Sequence, residues 1–221
     1  MPLLAPAQFF ASHGNVPNLH PAALSLTYGD FVLLLMKACR IPTKARAPFE
    51  ARIRHLQRLG LPELAGDNLK RLHYGIAECA AFATALRMID LFIPPALAVR
   101  LVTERWSDLT DFVLAGAAET LPRAYLTRRS IPQATFAVFR ANALAALGTD
   151  REDDQSSEDL LGQFRICEGS HAEVMFDALG GAGLVLDSRT YMPAIVREWA
   201  ERLSATDAEL GIEMDRLRFL R

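Results

Sequence analysis

Pro48 and Pro62 bracket the segment that most limits what this chain can build. Proline lacks a backbone donor and therefore suits the first turn of a helix, whereas glycine followed by proline ends one. Pro48 at the start, with Gly60 and Pro62 at the finish, leaves room for about three turns of helix. Inside that window Ile53, Leu56 and Leu59 recur as one apolar stripe, and Arg52, Arg54, His55, Gln57 and Arg58 occupy the remaining, outward surface. The fork-shaped donors of Arg and Gln match the edges of guanine and adenine in a major groove, and Arg also pairs with phosphate.

The formal charge of −2 conceals an uneven distribution. From Lys37 to His73 nine Lys/Arg (Lys37, Arg40, Lys44, Arg46, Arg52, Arg54, Arg58, Lys70, Arg71) face three acids (Glu50, Glu63, Asp67), a balance of +6. From Asp150 to Arg221 sixteen acids face eight arginines, a balance of −8. A local positive field on one module is the footprint of phosphate binding, and an acidic remainder would be repelled from DNA. The competing explanation is that the basic surface is merely solvated or pairs with the chain's own acidic half.

Upstream, Tyr28 to Arg40 reads as a first helix capped by Thr27 or Asp30, with Phe31, Leu34, Leu35 and Ala38 inward. The proline-bounded loop Arg40 to Pro48 then brings Thr43, Lys44 and Arg46 forward as phosphate clamps. Downstream, Gly66, Asp67 and Asn68 suit a turn, and Leu69 to His73 a short returning strand that carries Lys70 and Arg71.

The run Ile53-Arg54-His55-Leu56-Gln57-Arg58-Leu59-Gly60-Leu61, with the short basic wing and the step from Arg71 to Tyr74, resembles the I-R-Y-Y-E-R-x-G-L signature of MerR-type winged helix-turn-helix regulators. Residues 76–102 resemble that family's second helix pair, an apolar helix from Ala77 to Leu91 followed by a shorter one starting at Pro94 or Pro95. The resemblance covers roughly residues 28 to 105. It implies a winged helix-turn-helix that binds double-stranded DNA, with Thr43, Lys44, Arg46, Arg52, Arg54, His55, Gln57, Arg58, Lys70 and Arg71 as its contacts.

Ala96 to Leu121 continues as helix. Its stripe of Val102, Trp106, Leu109 and Val113 is either an interface with a second copy, anchored by Trp106, or a surface covered by the chain's own C-terminal part. After Pro122 the text becomes mixed: Thr135–Phe139, Gln163–Cys167 and Gly183–Asp187 are β-prone, and Asn142–Leu147, Ser170–Leu179 and Met192–Leu203 are helical. Thr149 to Asp159 reads as an exposed acidic loop.

The expected fold is therefore mainly α with a small α+β part. It divides into an N-terminal tail (1–27), a winged helix-turn-helix domain with a helical connector (28–121) and an acidic α+β domain for sensing, dimerisation or partner binding (122–221).

Enzymatic signatures are weak. Gly180-Gly-Ala-Gly183 precedes a strand, whereas a phosphate-cradling glycine loop follows one and opens a helix. Ser170 and His171, with Glu168 and Glu173, project in different directions on a helix and lack a nucleophile elbow. The histidines show no metal-ligand spacing, so neither metal nor cofactor is expected. Three widely spaced cysteines, Cys39, Cys79 and Cys167, suit a reducing cytoplasm, and the apolar run Ala77 to Val102 is too interrupted by charge and proline to cross a membrane. The expectation is a cytoplasmic, non-enzymatic, homodimeric transcription regulator whose C-terminal part could dock RNA polymerase or another protein. The alternatives are a phage- or plasmid-type accessory factor that bends DNA like an excisionase, and a protein-binding adaptor built on the same fold.

Overall fold

The structure, a computed structural model, describes residues 24–61, 74–131, 133–140, 164–171, 173 and 183–217. Among these it is mainly helical with one small antiparallel sheet. Helix α1 (Tyr28–Ala38) is capped by Thr27, whose hydroxyl accepts from the Asp30 backbone N–H at 3.2 Å. A single 3-10 turn (Thr43–Ala45) leads into α2 (Arg46–Arg58). The helix thus begins two residues before Pro48, which lies within the first turn, where a missing N–H is tolerated. At its other end Gly60 takes φ +112, and the N–H groups of Gly60 and Leu61 return to the carbonyls of Gln57 and Leu56, so the chain turns away as the spacing predicted.

Helix α3 (Ile76–Asp90) is the central rod. It is buried nearly all round, and its many alanines let neighbouring helices come close, which explains a run apolar enough to suggest a membrane. Among the described residues no helix is long and apolar enough to cross one. Helix α4 (Pro95–Glu104), with Pro95 as its first residue, folds back on α3, and α5 (Trp106–Ala117) follows after one residue. A short α6 (Arg123–Arg128) leads to the sheet, β1 (Phe136–Arg140), β2 (Phe164–Cys167) and β3 (Gly183–Asp187), with β1 in the middle. Ala137 lies opposite both Ile166 and Leu186 in this register. A 3-10 turn (Ser188–Thr190) then enters α7 (Met192–Leu203), and α8 (Asp207–Arg216) completes the described chain.

One core joins the two halves. Helix α7 packs on α1, α3 and α5, placing Ile195, Val196 and Trp199 against residues of the N-terminal helices. Buried Tyr191 and Thr84 share a hydrogen bond of 2.8 Å between the start of α7 and α3. The division expected after residue 121 therefore does not separate two cores.

That packing corrects the expected dimer surface. Val102, Trp106, Leu109 and Val113 are 0–3% exposed within a single chain. What covers them is the chain itself: α4 and α7 pack on α5, and the Thr110 hydroxyl on the same helix donates to the Leu217 carbonyl beyond α8. An apolar stripe of this kind must be covered, and here the C-terminal helices cover it. Helix α8 adds a helix to those expected; Asn142–Leu147, most of Ser170–Leu179, the acidic stretch 149–159 and residues 180–182 of the glycine run lie outside the described residues.

Candidate nucleic-acid interface

Helix α2 is attached by Phe49, Ile53 and Leu56, all buried, with Leu59 packed beside them. The opposite side follows from that attachment. Ala47, Ala51, Arg54 and Arg58, at steps of four, three and four residues, form one exposed stripe along the helix. The two alanines offer only methyl groups, so a partner surface can approach the backbone, while Arg54 and Arg58 project one turn apart. Ala51, Arg54, Gln57 and Arg58 line a shallow depression of about 400 Å³. Arg52 and His55 are exposed on the flank, and Thr43, Lys44 and Arg46 are exposed at the entry to the helix.

Pairing divides these cations. Arg46 Nε donates to Glu50 Oε1 at 2.7 Å, and Arg54 lies 3.7 Å from the other Glu50 oxygen. Among the described residues Lys44, Arg52 and Arg58 have no ion pair. Farther back, Lys37 pairs with Glu198 on α7 and Asp30 with Arg202 at 3.5 Å. Part of the basic segment is thus neutralised by the acidic half, but α2's outward stripe is not.

Gln57 differs from the expectation. It is half-buried, and its amide nitrogen donates to the Tyr74 hydroxyl at 2.7 Å, so it braces the fold instead of standing free to read a base. Burial pushes the Tyr74 phenol up to about 12, which keeps that hydroxyl neutral. The Tyr74 ring stacks on Phe31 with centroids 4.0 Å apart, and its backbone bridges Leu26, the Leu26 N–H donating to the Tyr74 carbonyl at 2.9 Å. Leu61 is buried as well. Leu61 and Tyr74 are thus both fixed in the core beside α1 and α2; residues 62–73, with Lys70, Arg71 and the expected wing, lie outside the described residues.

Tyr28, at the start of α1, was not singled out by its sequence context. Burial raises its phenol, an effect opposed by the nearby Arg54 charge, and its hydroxyl is buried without a well-formed hydrogen bond among the described residues. Tyr28 thus places a buried phenol within electrostatic reach of Arg54.

The cysteines offer no reactive centre. All three are free thiols, and burial raises each: Cys39 to about 11, Cys79 well above its ordinary value and Cys167 in the same direction. Among the described residues no group of three His, Cys, Asp or Glu side chains is placed to hold a metal.

No family model matches the chain, and no curated protein or solved structure matches it either.

Proposed function

We propose that the chain is a sequence-specific DNA-binding transcription regulator that inserts α2 in the major groove, with a winged helix-turn-helix formed by α1, α2 and the segment rejoining at Tyr74. The observation that carries this is the outward stripe of α2, two alanines that permit close approach followed by two exposed arginines one turn apart. The fixed positions of Leu61 and Tyr74 support a wing between them, since a wing must return to the base of the same motif. Arg54 and Arg58 would read base edges; Lys44, Arg46, Arg52, Lys70 and Arg71 would hold phosphate. One reading helix spans only a few base pairs, so two copies are expected on a site, meeting through a surface other than the buried Trp106 stripe.

Binding selection from random duplexes, followed by competition assays, tests the assignment. Arg54→Ala and Arg58→Ala should each weaken the selected duplex by about 1–3 kcal/mol and relax its sequence preference, whereas Lys44→Ala should weaken selected and random duplexes alike. Equal losses on both duplexes for all three variants would exclude base reading by α2.

A further inference from the structure

A second feature lies away from the stripe of α2. The C-terminal ends of α1 and α3, strand β3 and the first turn of α7 enclose a cleft of about 830 Å³. That volume is in the range of small-molecule sites. Its floor is apolar, including Val185, Leu186 and Ala194, and Val185 is 38% exposed there although it belongs to a strand. Its rim is cationic, with five Lys/Arg side chains against three acids.

The five cations are not equivalent. Lys37 is paired with Glu198, and Arg189 is held in a fork by Asp187 at 2.8 to 3.2 Å. The side chains of Arg40 and Arg197 are exposed and make no ion pair or hydrogen bond with another described residue. Arg87 stands between these cases. One of its terminal nitrogens donates to Asp90 and the other to the Ala38 carbonyl, but its Nε is buried with no partner among the described residues.

Helix C-termini carry partial negative charge, and both α1 and α3 end at this cleft, so its cations could simply complement them. Most of the last carbonyls are, however, already occupied. Those of Met36 and Lys37 accept from the N–H groups of Ile41 and Arg40, and those of Met88 and Ile89 from Ile93 and Phe92. Only the Ala38 carbonyl uses a guanidinium. Turn geometry alone could also place Arg40 here. Its φ is 57°, the left-handed conformation that ends α1, where glycine would fit without strain. An arginine there is costly to the backbone, so a role for its side chain is the more informative reading.

The geometry points to a binding site for a small amphiphilic anion, an apolar body bearing a carboxylate or phosphate, with Arg40 and Arg197 holding the oxyanion and Val185 under the apolar part. The cleft joins the end of α1, which leads directly to α2, with β3 and α7. Occupancy would thus tie the two parts of the chain together. This site does not depend on the DNA-binding proposal.

The test uses the full chain with benzoate and phenyl phosphate as probes, benzamide as the uncharged control, and constant ionic strength. Either anion should shift the backbone NMR signals of Arg40, Val185 and Arg197 and raise the thermal midpoint, and benzamide should do neither. Arg40→Gly suits the backbone better than the native residue, so it should fold while weakening the bound anion about tenfold, the scale of one lost charge-assisted hydrogen bond. Arg197→Ala should do the same. No shift with either anion, an equal response to benzamide, or unchanged affinity in both variants overturns the proposal. It is also overturned if phenyl phosphate competes with duplex DNA and Arg40→Gly weakens duplex binding equally, because the cleft would then belong to a nucleic-acid surface.

Discussion

Glu50 offers a test of the α2 interface whose size can be worked from the ion pairs. It holds Arg46 at 2.7 Å and lies 3.7 Å from Arg54, so five cations at the interface (Lys44, Arg46, Arg52, Arg54, Arg58) are offset by one carboxylate. Per copy bound, if each net charge neutralises one phosphate, about four counterions' worth of binding gives a log–log salt slope of about −3.6, or about a 150-fold loss of affinity between 50 and 200 mM salt. Glu50→Gln removes the offset, steepening the slope by about 0.9 per copy and giving about a 500-fold loss per copy over the same range. Cations elsewhere, Lys70 and Arg71 among them, add the same amount to both proteins and leave the difference unchanged. The loss in helix stability should be small, because exposed i,i+4 pairs contribute little. Fluorescence anisotropy with a labelled duplex across that salt range, with the helical signal checked by circular dichroism, measures both slopes. Parallel slopes for the two proteins would refute the placement of α2 against phosphate, and a flat slope in wild type would refute DNA binding through this face.

Three further outcomes concern the scaffold. A Cβ added at Gly116 would lie 2.4–2.7 Å from side-chain and backbone atoms of Ser188, so Gly116→Ala should destabilise by about 1–3 kcal/mol in urea unfolding, since no rotamer change moves the Ser188 backbone. Burial raises the Glu78 carboxyl above its ordinary value, and Glu213 is raised by burial too, with Arg216 opposing and Glu78 adding. A carboxyl raised on folding binds its proton more tightly in the native state, so stability falls as pH rises from the unfolded value through the folded one; Glu78→Gln should raise the urea midpoint at pH 7 and flatten that fall. Trp106→Glu should unfold the protein, seen as lost helical circular dichroism, because removing a core aromatic already costs about 3–5 kcal/mol before any charge is buried; a well-folded variant with altered oligomeric state would reinstate the dimer surface.

Local rules account for most of what the sequence made legible. The bounds of α7, the three strands and the stop at Gly60 follow from periodicity, short apolar runs and glycine, all of which act over a few residues. Helix α8 carries an equally local signal: Thr206 and Glu209 form a reciprocal capping box, the hydroxyl accepting from the Glu209 N–H and the carboxylate from the Thr206 N–H. The dimer surface failed for another reason. Periodicity at Val102, Trp106, Leu109 and Val113 states that a face must be covered and says nothing about whether a second chain or a helix a hundred residues later does so.

The same distinction applies to charge. Nine cations between Lys37 and His73 looked like one surface when counted along the chain, yet the described ones serve separate purposes. Lys37 is matched by α7, Arg40 turns into the cleft at the end of α1, and Arg46 and Arg54 share Glu50. What remains outward on α2 is a smaller set, and its arrangement is more informative than its number. A merely solvated helix face has no requirement for alanine at two successive outward turns before its arginines, whereas a helix that must enter a groove gains from both the small side chains and the forks that follow them. Replacing Ala51 by Leu, which keeps helix propensity and touches only solvent, should therefore leave folding intact while weakening duplex binding; unchanged affinity would mean that the outward face of α2 never comes that close to DNA.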